Sequence, residues 1–180
     1  MTSSPPDALR FPTGRFAPAD GPVPPARREA LVERIRRLPE RARAAVQNLD
    51  DDALDTPYRE GGWTPRQIVH HLADSHANAV IRMKLALTED EPTIKPYDQA
   101  AWAELPDATG LPPGPSLALL DGLHVRWTAL MASMSEEQWA RTVVHPEIGT
   151  VPLTFFLQLY AWHGDHHVAQ VEALRARMGW

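Results

Sequence analysis

Residues 153–178 read LTFFLQLYAWHGDHHVAQVEALRARM, followed by Gly179. No proline interrupts this run, and its apolar side chains recur at three- and four-residue steps. The segment therefore forms one long amphipathic helix that ends at Gly179. One stripe carries Phe156, Leu159, Tyr160, His163, His167, Gln170, Val171, Leu174 and Met178. Being apolar at both ends, it faces a core. Two imidazoles in the middle of such a stripe need partners, because buried polar groups without them are costly. His163 and His167 are four residues apart, roughly 40° around the helix axis. That spacing lets both rings reach one ion, as in the zinc-binding HExxH helix. Gly164 stands where that motif has its glutamate, so the protease signature is absent. His166 falls about 60° off the stripe and is a lesser candidate.

Working outward, three further helices are expected. Thr64-Pro65-Arg66-Gln67 combines a capping-box Thr and Gln with proline at the first helical position. It opens a helix to about Thr88, with Ile68, Leu72, Ala79, Met83 and Leu87 toward the core. A helix from about Pro25 to Asn48 carries Leu31, Ile35, Leu38, Ala42 and Val46 on one face, and Pro39 should kink or split it. Another runs from about Ser116 to Met134, with Leu117, Leu120, His124, Trp127 and Met131 on one stripe. Ser135 to Gln138 is a second capping box before a short helix. Residues 142–151 suggest a small hairpin at most. The proline-rich connection 89–115 reads as a lid or binding loop, packed down by Tyr97 and Trp102. Residues 1–24 read as an extended proline-rich arm rather than a regular helix, leaning on the body through Leu9, Phe11 and Phe16. The expected fold is all-α, a four-helix bundle over residues 25–180.

The third ligand must come from another helix. From His71, the residues Asp74, Ser75, Asn78 and Arg82 continue a polar stripe beside the apolar face of the second helix. His76 falls among Leu72, Ala79, Val80 and Met83 and reads as a packed histidine, while His70 lies further from the polar line. Spacing thus favours His71. Three neutral imidazoles leave coordination positions open, the pattern of catalytic rather than structural zinc sites; imidazole also accepts nickel, iron and copper. Asp74 reads as a general base, a partner orienting a ligand ring, or an exposed carboxylate. Arg82 reads as an anion ligand or a surface residue. Trp63 and Trp127 read as core.

The composition excludes several chemistries. With no cysteine among 180 residues, disulfides, thiolate metal sites and cysteine nucleophiles are ruled out. A net charge of -5 argues against a nucleic-acid surface. No apolar run suits a membrane span and no secretory h-region is visible, which leads to an expected cytoplasmic location.

Tyr58 to Thr64, His70 to His76, Ile94 to Asp98, Ala101-Trp102, His145-Pro146 and Tyr160 to His167 together resemble the YfiT branch of the DinB-like superfamily. The resemblance spans about Leu9 to Trp180. It implies an up-down-down-up four-helix bundle, often a homodimer, with a three-histidine site. A Trp there opens the second helix and the ligand histidine follows eight residues later, which falls on Trp63 and His71. The remaining family ligands fall on His163 and His167. Members are described as inferred metal-dependent hydrolases of zinc or nickel, and relatives transfer low-molecular-weight thiols such as bacillithiol to electrophiles. Pro152 departs from the family, which tends to place a capping Thr there. The expectation is a hydrolase acting on a small-molecule substrate through one divalent ion per chain, zinc foremost. A metal-dependent thiol S-transferase and a non-catalytic metal-binding bundle are the alternatives.

Overall fold

A computed structural model describes the backbone of residues 5–19 and 21–180; the start of the arm and Asp20 lie outside the described residues. In chain order the elements are α1 (Pro5–Arg10), α2 (Pro25–Arg36), α3 (Leu38–Val46), α4 (Asp51–Leu54), α5 (Pro65–Thr88), α6 (Gln99–Ala103) and α7 (Pro106–Gly110). Then follow α8 (Gly114–Ala132), α9 (Glu136–Trp139), β1 (Thr142–His145), β2 (Gly149–Pro152) and α10 (Leu153–Met178).

The long helices start where their local chemistry allows. Thr64 accepts from the Gln67 amide while the Gln67 side chain accepts from the Thr64 amide, which completes the capping box of α5. Ser135 and Gln138 do the same for α9. Pro152 caps α10 without a side-chain bond, and the helix still begins at Leu153. Gly179, left-handed at φ 76°, ends it. The first predicted helix is split at Arg37 into α2 and α3. Pro39 lacks the amide that would close a helical bond to the Ile35 carbonyl. That freed oxygen reappears in the site below.

Cross-helix pairings set the directions. His70 meets Ser116, His76 meets His124 and Trp127 meets Met83, so α5 and α8 run parallel. His76 meets His163 and Arg82 meets Tyr160, so α5 and α10 are antiparallel. Arg34 and Arg41 both bind Asp165, and Arg175 donates to the Ala45 carbonyl, so α2–α3 runs parallel to α10. The four run up, down, down, up. Two apolar clusters fill the bundle. One lies around Ile35, Met83, Trp127 and Leu157, the other around Leu38, Leu72, Leu120 and Leu174. The polar residues of the site lie where the two clusters meet.

Two expectations need correction. The arm is not wholly extended: residues 5–10 form α1. Proline is tolerated there because amides of a first helical turn have no partner inside the helix. Beyond α1 the arm does lean on the body, with Phe16 against Phe155 and Trp162 and Phe11 near His166. The 89–115 connection is also more ordered than a loop, holding α6 and α7 and a bridge from Thr93 to Val144. The hairpin is as expected, with β1 and β2 antiparallel. Among the described residues no helix is long and apolar enough to cross a membrane.

Candidate metal centre

His71 from α5 and His163 and His167 from α10 converge, with one ring nitrogen of each within 4.8 Å of the others. His71 Nε2 and His163 Nε2 are 3.0 Å apart. The polarity of the surrounding hydrogen bonds decides which ring nitrogens carry protons. The Ile35 carbonyl can only accept, so His124 Nδ1, 2.7 Å away, donates to it. A neutral His124 then accepts at Nε2 from His76 Nδ1 at 3.0 Å. His76 Nε2 in turn accepts from His163 Nδ1 at 3.3 Å. A relay of three imidazoles, anchored on the carbonyl that Pro39 leaves free, thus makes His163 Nε2 an acceptor whose lone pair faces His71 Nε2.

His167 is set by a separate device. Gln170 donates its amide to the Arg10 carbonyl at 3.0 Å and to His166 Nε2 at 2.9 Å, which fixes the amide's orientation. Its oxygen faces His167 Nδ1 at 2.9 Å and accepts from it. His167 Nε2 is therefore also an acceptor. Burial holds His71, His163 and His167 well below the usual histidine range, and neighbouring imidazoles lower them further. They are neutral near pH 7, as metal ligands must be. Metal-bound histidines nearly always donate their other N–H to a fixed acceptor, and His163 and His167 both do. The residues fit a cation.

The other candidates have different positions. His70 donates from Nε2 to the Leu111 carbonyl and accepts from Ser116, tying α5 to the start of α8. His166 stacks on Trp162 and bonds Gln170. Asp74 is half-buried, and burial and then Asp107 raise its carboxyl above the usual range. Its carboxylate makes no hydrogen bond to the three imidazoles. His76 is more than a packed histidine, because it bridges His124 and His163. Trp63 packs, partly buried, on the second apolar cluster as expected, and its ring also lies 4.6 Å from His71 and stacks at 5.9 Å on His167. Periodicity revealed these positions but could not pair residues across three helices. The backbone oxygen of Ile35 has no side-chain signature at all.

Two cavities flank the centre. One, about 440 Å³, reaches His163 and is lined by Ser75, Arg82, Tyr97, Phe156, Tyr160 and Trp162 among others. The second, about 260 Å³, reaches His167 between Trp63 and the arm residues Arg10 and Phe11.

A sequence profile of the DinB superfamily matches residues 34–171. The chain belongs to the DinB superfamily. This DinB-superfamily chain is 51% identical over 176 residues to a protein of Geobacillus kaustophilus, covering 97% of this chain and 98% of the relative. It is 48% identical over 172 residues to one of Bacillus cereus, covering 96% and 98%. Both are named as inferred metal-dependent hydrolases. Among solved structures, YfiT of Bacillus subtilis matches at TM-score 0.93 and 44% identity, over 96% of this chain and 99% of that one. It is described as an inferred metal-dependent hydrolase with an unusual four-helix bundle topology. A mycothiol-dependent maleylpyruvate isomerase matches at TM-score 0.65 and 19% identity, over 83% of this chain and 61% of that one. That likeness speaks to the fold alone.

Proposed function

We propose that the chain is a metal-dependent hydrolase in which His71, His163 and His167 hold one divalent ion, with zinc as the leading choice. The observation that carries this reading is the tautomer pattern. His163 and His167 are each held with Nδ1 donating to a fixed acceptor, so their Nε2 lone pairs turn toward His71. His71 Nε2, 3.0 Å from His163 Nε2, could donate to at most one of these lone pairs, whereas a cation would satisfy all three nitrogens at once. When bound by three neutral ligands, such an ion lowers the pKa of water toward neutrality.

The chain's own residues do the rest. His76 and His124 keep the His163 ring from turning, and Gln170 does the same for His167. Trp63 stacks on His167 and packs against His71, which limits how far either ring can turn. The 440 Å³ cavity admits a small molecule to the His163 side. The names of the full-length relatives support a hydrolase.

Protein purified without a tag should carry about one ion per chain by elemental analysis, and His163→Ala should carry almost none. Turnover of aryl esters and amides should then require the ion but no added thiol. Turnover that appears only with a low-molecular-weight thiol would replace the hydrolase with the S-transferase. A bound ion with no turnover on either arm would leave a metal-binding bundle.

A further inference from the structure

We infer that the cavity beside His163 is a carboxylate-binding subsite, in which Arg82, Tyr97 and Tyr160 hold the anionic end of a small organic acid. That its reacting group faces the three imidazoles rests on the hydrolase reading; the subsite itself does not.

The polar end of this cavity is rich in donors. Arg82 gives Nη2 to the Lys95 carbonyl at 2.8 Å and Nη1 to the Tyr160 hydroxyl at 3.4 Å. Its Nε is buried with no partner, and so is the Tyr97 hydroxyl oxygen. Both residues line the cavity. Buried donors without partners are rare and call for an explanation. Among the described residues no carboxylate pairs with the Arg82 guanidinium. Tyr160 accepts from Arg82, so its own proton is free for a ligand. Burial pushes the Tyr97 phenol up to about 12 and raises Tyr160 as well, so both keep their protons. The Ser75 hydroxyl lies beside both phenols. The one carboxylate in the lining, Glu147, sits on the exposed hairpin turn.

A guanidinium without a carboxylate partner, beside neutral O–H donors, is complementary to a carboxylate. Phe155, Phe156, Leu159 and Trp162 supply an apolar stretch of the wall, which suits an apolar body, while Gln99 and His145 add polar groups to the lining. Ser75 is one helical turn beyond His71, and Tyr160 nearly one turn before His163. The anion would then sit about 5 Å along the helices from the imidazoles, a span of three or four bonds in the ligand.

The test is calorimetric titration of metal-free and zinc-loaded protein with phenylacetate and with its neutral isostere phenylacetamide. Metal-free protein should bind phenylacetate at least tenfold more tightly than the amide, on the order of one charge-assisted hydrogen bond. Arg82→Gln should abolish that preference. Tyr97→Phe removes a hydroxyl that has only the Ser75 hydroxyl beside it, so it should melt close to the parent yet bind phenylacetate several-fold more weakly. Equal affinity for acid and amide, no binding to metal-free protein, or a preference that survives both substitutions would overturn the subsite. A preference seen only with zinc would make the carboxylate an ion ligand, which overturns the subsite and leaves the metal reading standing. Discrimination in a protein that fails to bind zinc would keep the subsite and remove the metal.

Discussion

At residue 76 a histidine with 0% exposure has imidazoles on both sides, one passing the chain of bonds to Ile35 and the other aimed at the candidate centre. His76→Ala would leave His163 Nδ1 without its acceptor and free the ring to turn. Metal affinity, measured by competition with a chelator, should fall roughly 10- to 100-fold, the usual effect of losing such a partner. His76→Gln places an amide oxygen near the lost Nε2 and should recover part of the loss; equal losses in both variants would mean a packing role only. His124 gives a pH prediction. Burial lowers its pKa to about 4 from the ordinary 6.5. Between those values the unfolded chain binds a proton that the folded chain rejects, so stability is complete above 6.5 and drains away as pH falls toward 4. Burial lowers His71, His76, His163, His166 and His167 as well, so they add loss in the same direction. Urea midpoints at pH 7.5, 6.5, 5.5 and 4.5 should fall in that order, and less steeply in a His124→Asn variant that keeps its fold. His163 and His167 were legible because one helix carries both. His124 sat visibly on its stripe, but its partners belong to two other elements.

At the scale of elements, the caps made α5 and α9 readable, and an unbroken 26-residue stripe made α10 readable to its ends. Proline signals were harder. Pro39 announced a break, yet nothing in the sequence said that the carbonyl it frees would anchor a histidine relay. Prolines 5 and 6 read as helix-breaking but occupy a first turn, where they are harmless. Packing between elements yields a paired prediction. A Cβ on Gly164 would lie 2.7 Å from Leu38 Cδ2, and Leu38 is itself fully buried. Gly164→Ala should cost about 1–3 kcal/mol in overpacking, more than the roughly 1 kcal/mol that alanine gains over glycine in a helix. Gly122 on α8 has nothing within 4 Å of such a Cβ, so Gly122→Ala should raise stability by about 0.5–1 kcal/mol. Urea denaturation of the two variants should move in opposite directions.

For the whole molecule, the three imidazoles join α5 to α10, two helices that the chain connects only through α6–α9 and the hairpin. An ion there would hold the native arrangement and not the unfolded one. At a free concentration of 1,000 times its dissociation constant it should add about 4 kcal/mol, raising the melting temperature by roughly 10 °C for a chain of this size. Differential scanning calorimetry before and after chelation should show that shift in the parent and none in His71→Ala.

Gln170 reaches both His167 and the carbonyl of Arg10. The start of the polypeptide is thereby tethered to a prospective ligand more than 150 positions downstream. Removing residues 1–12 would unmoor that amide, so the trimmed protein should lose metal during dialysis faster than the full chain while its far-ultraviolet circular dichroism stays close to the parent's. Affinity handles belong at the carboxyl end, because a fusion at the amino end would tug on the segment whose Arg10 carbonyl orients Gln170 and, through it, His167.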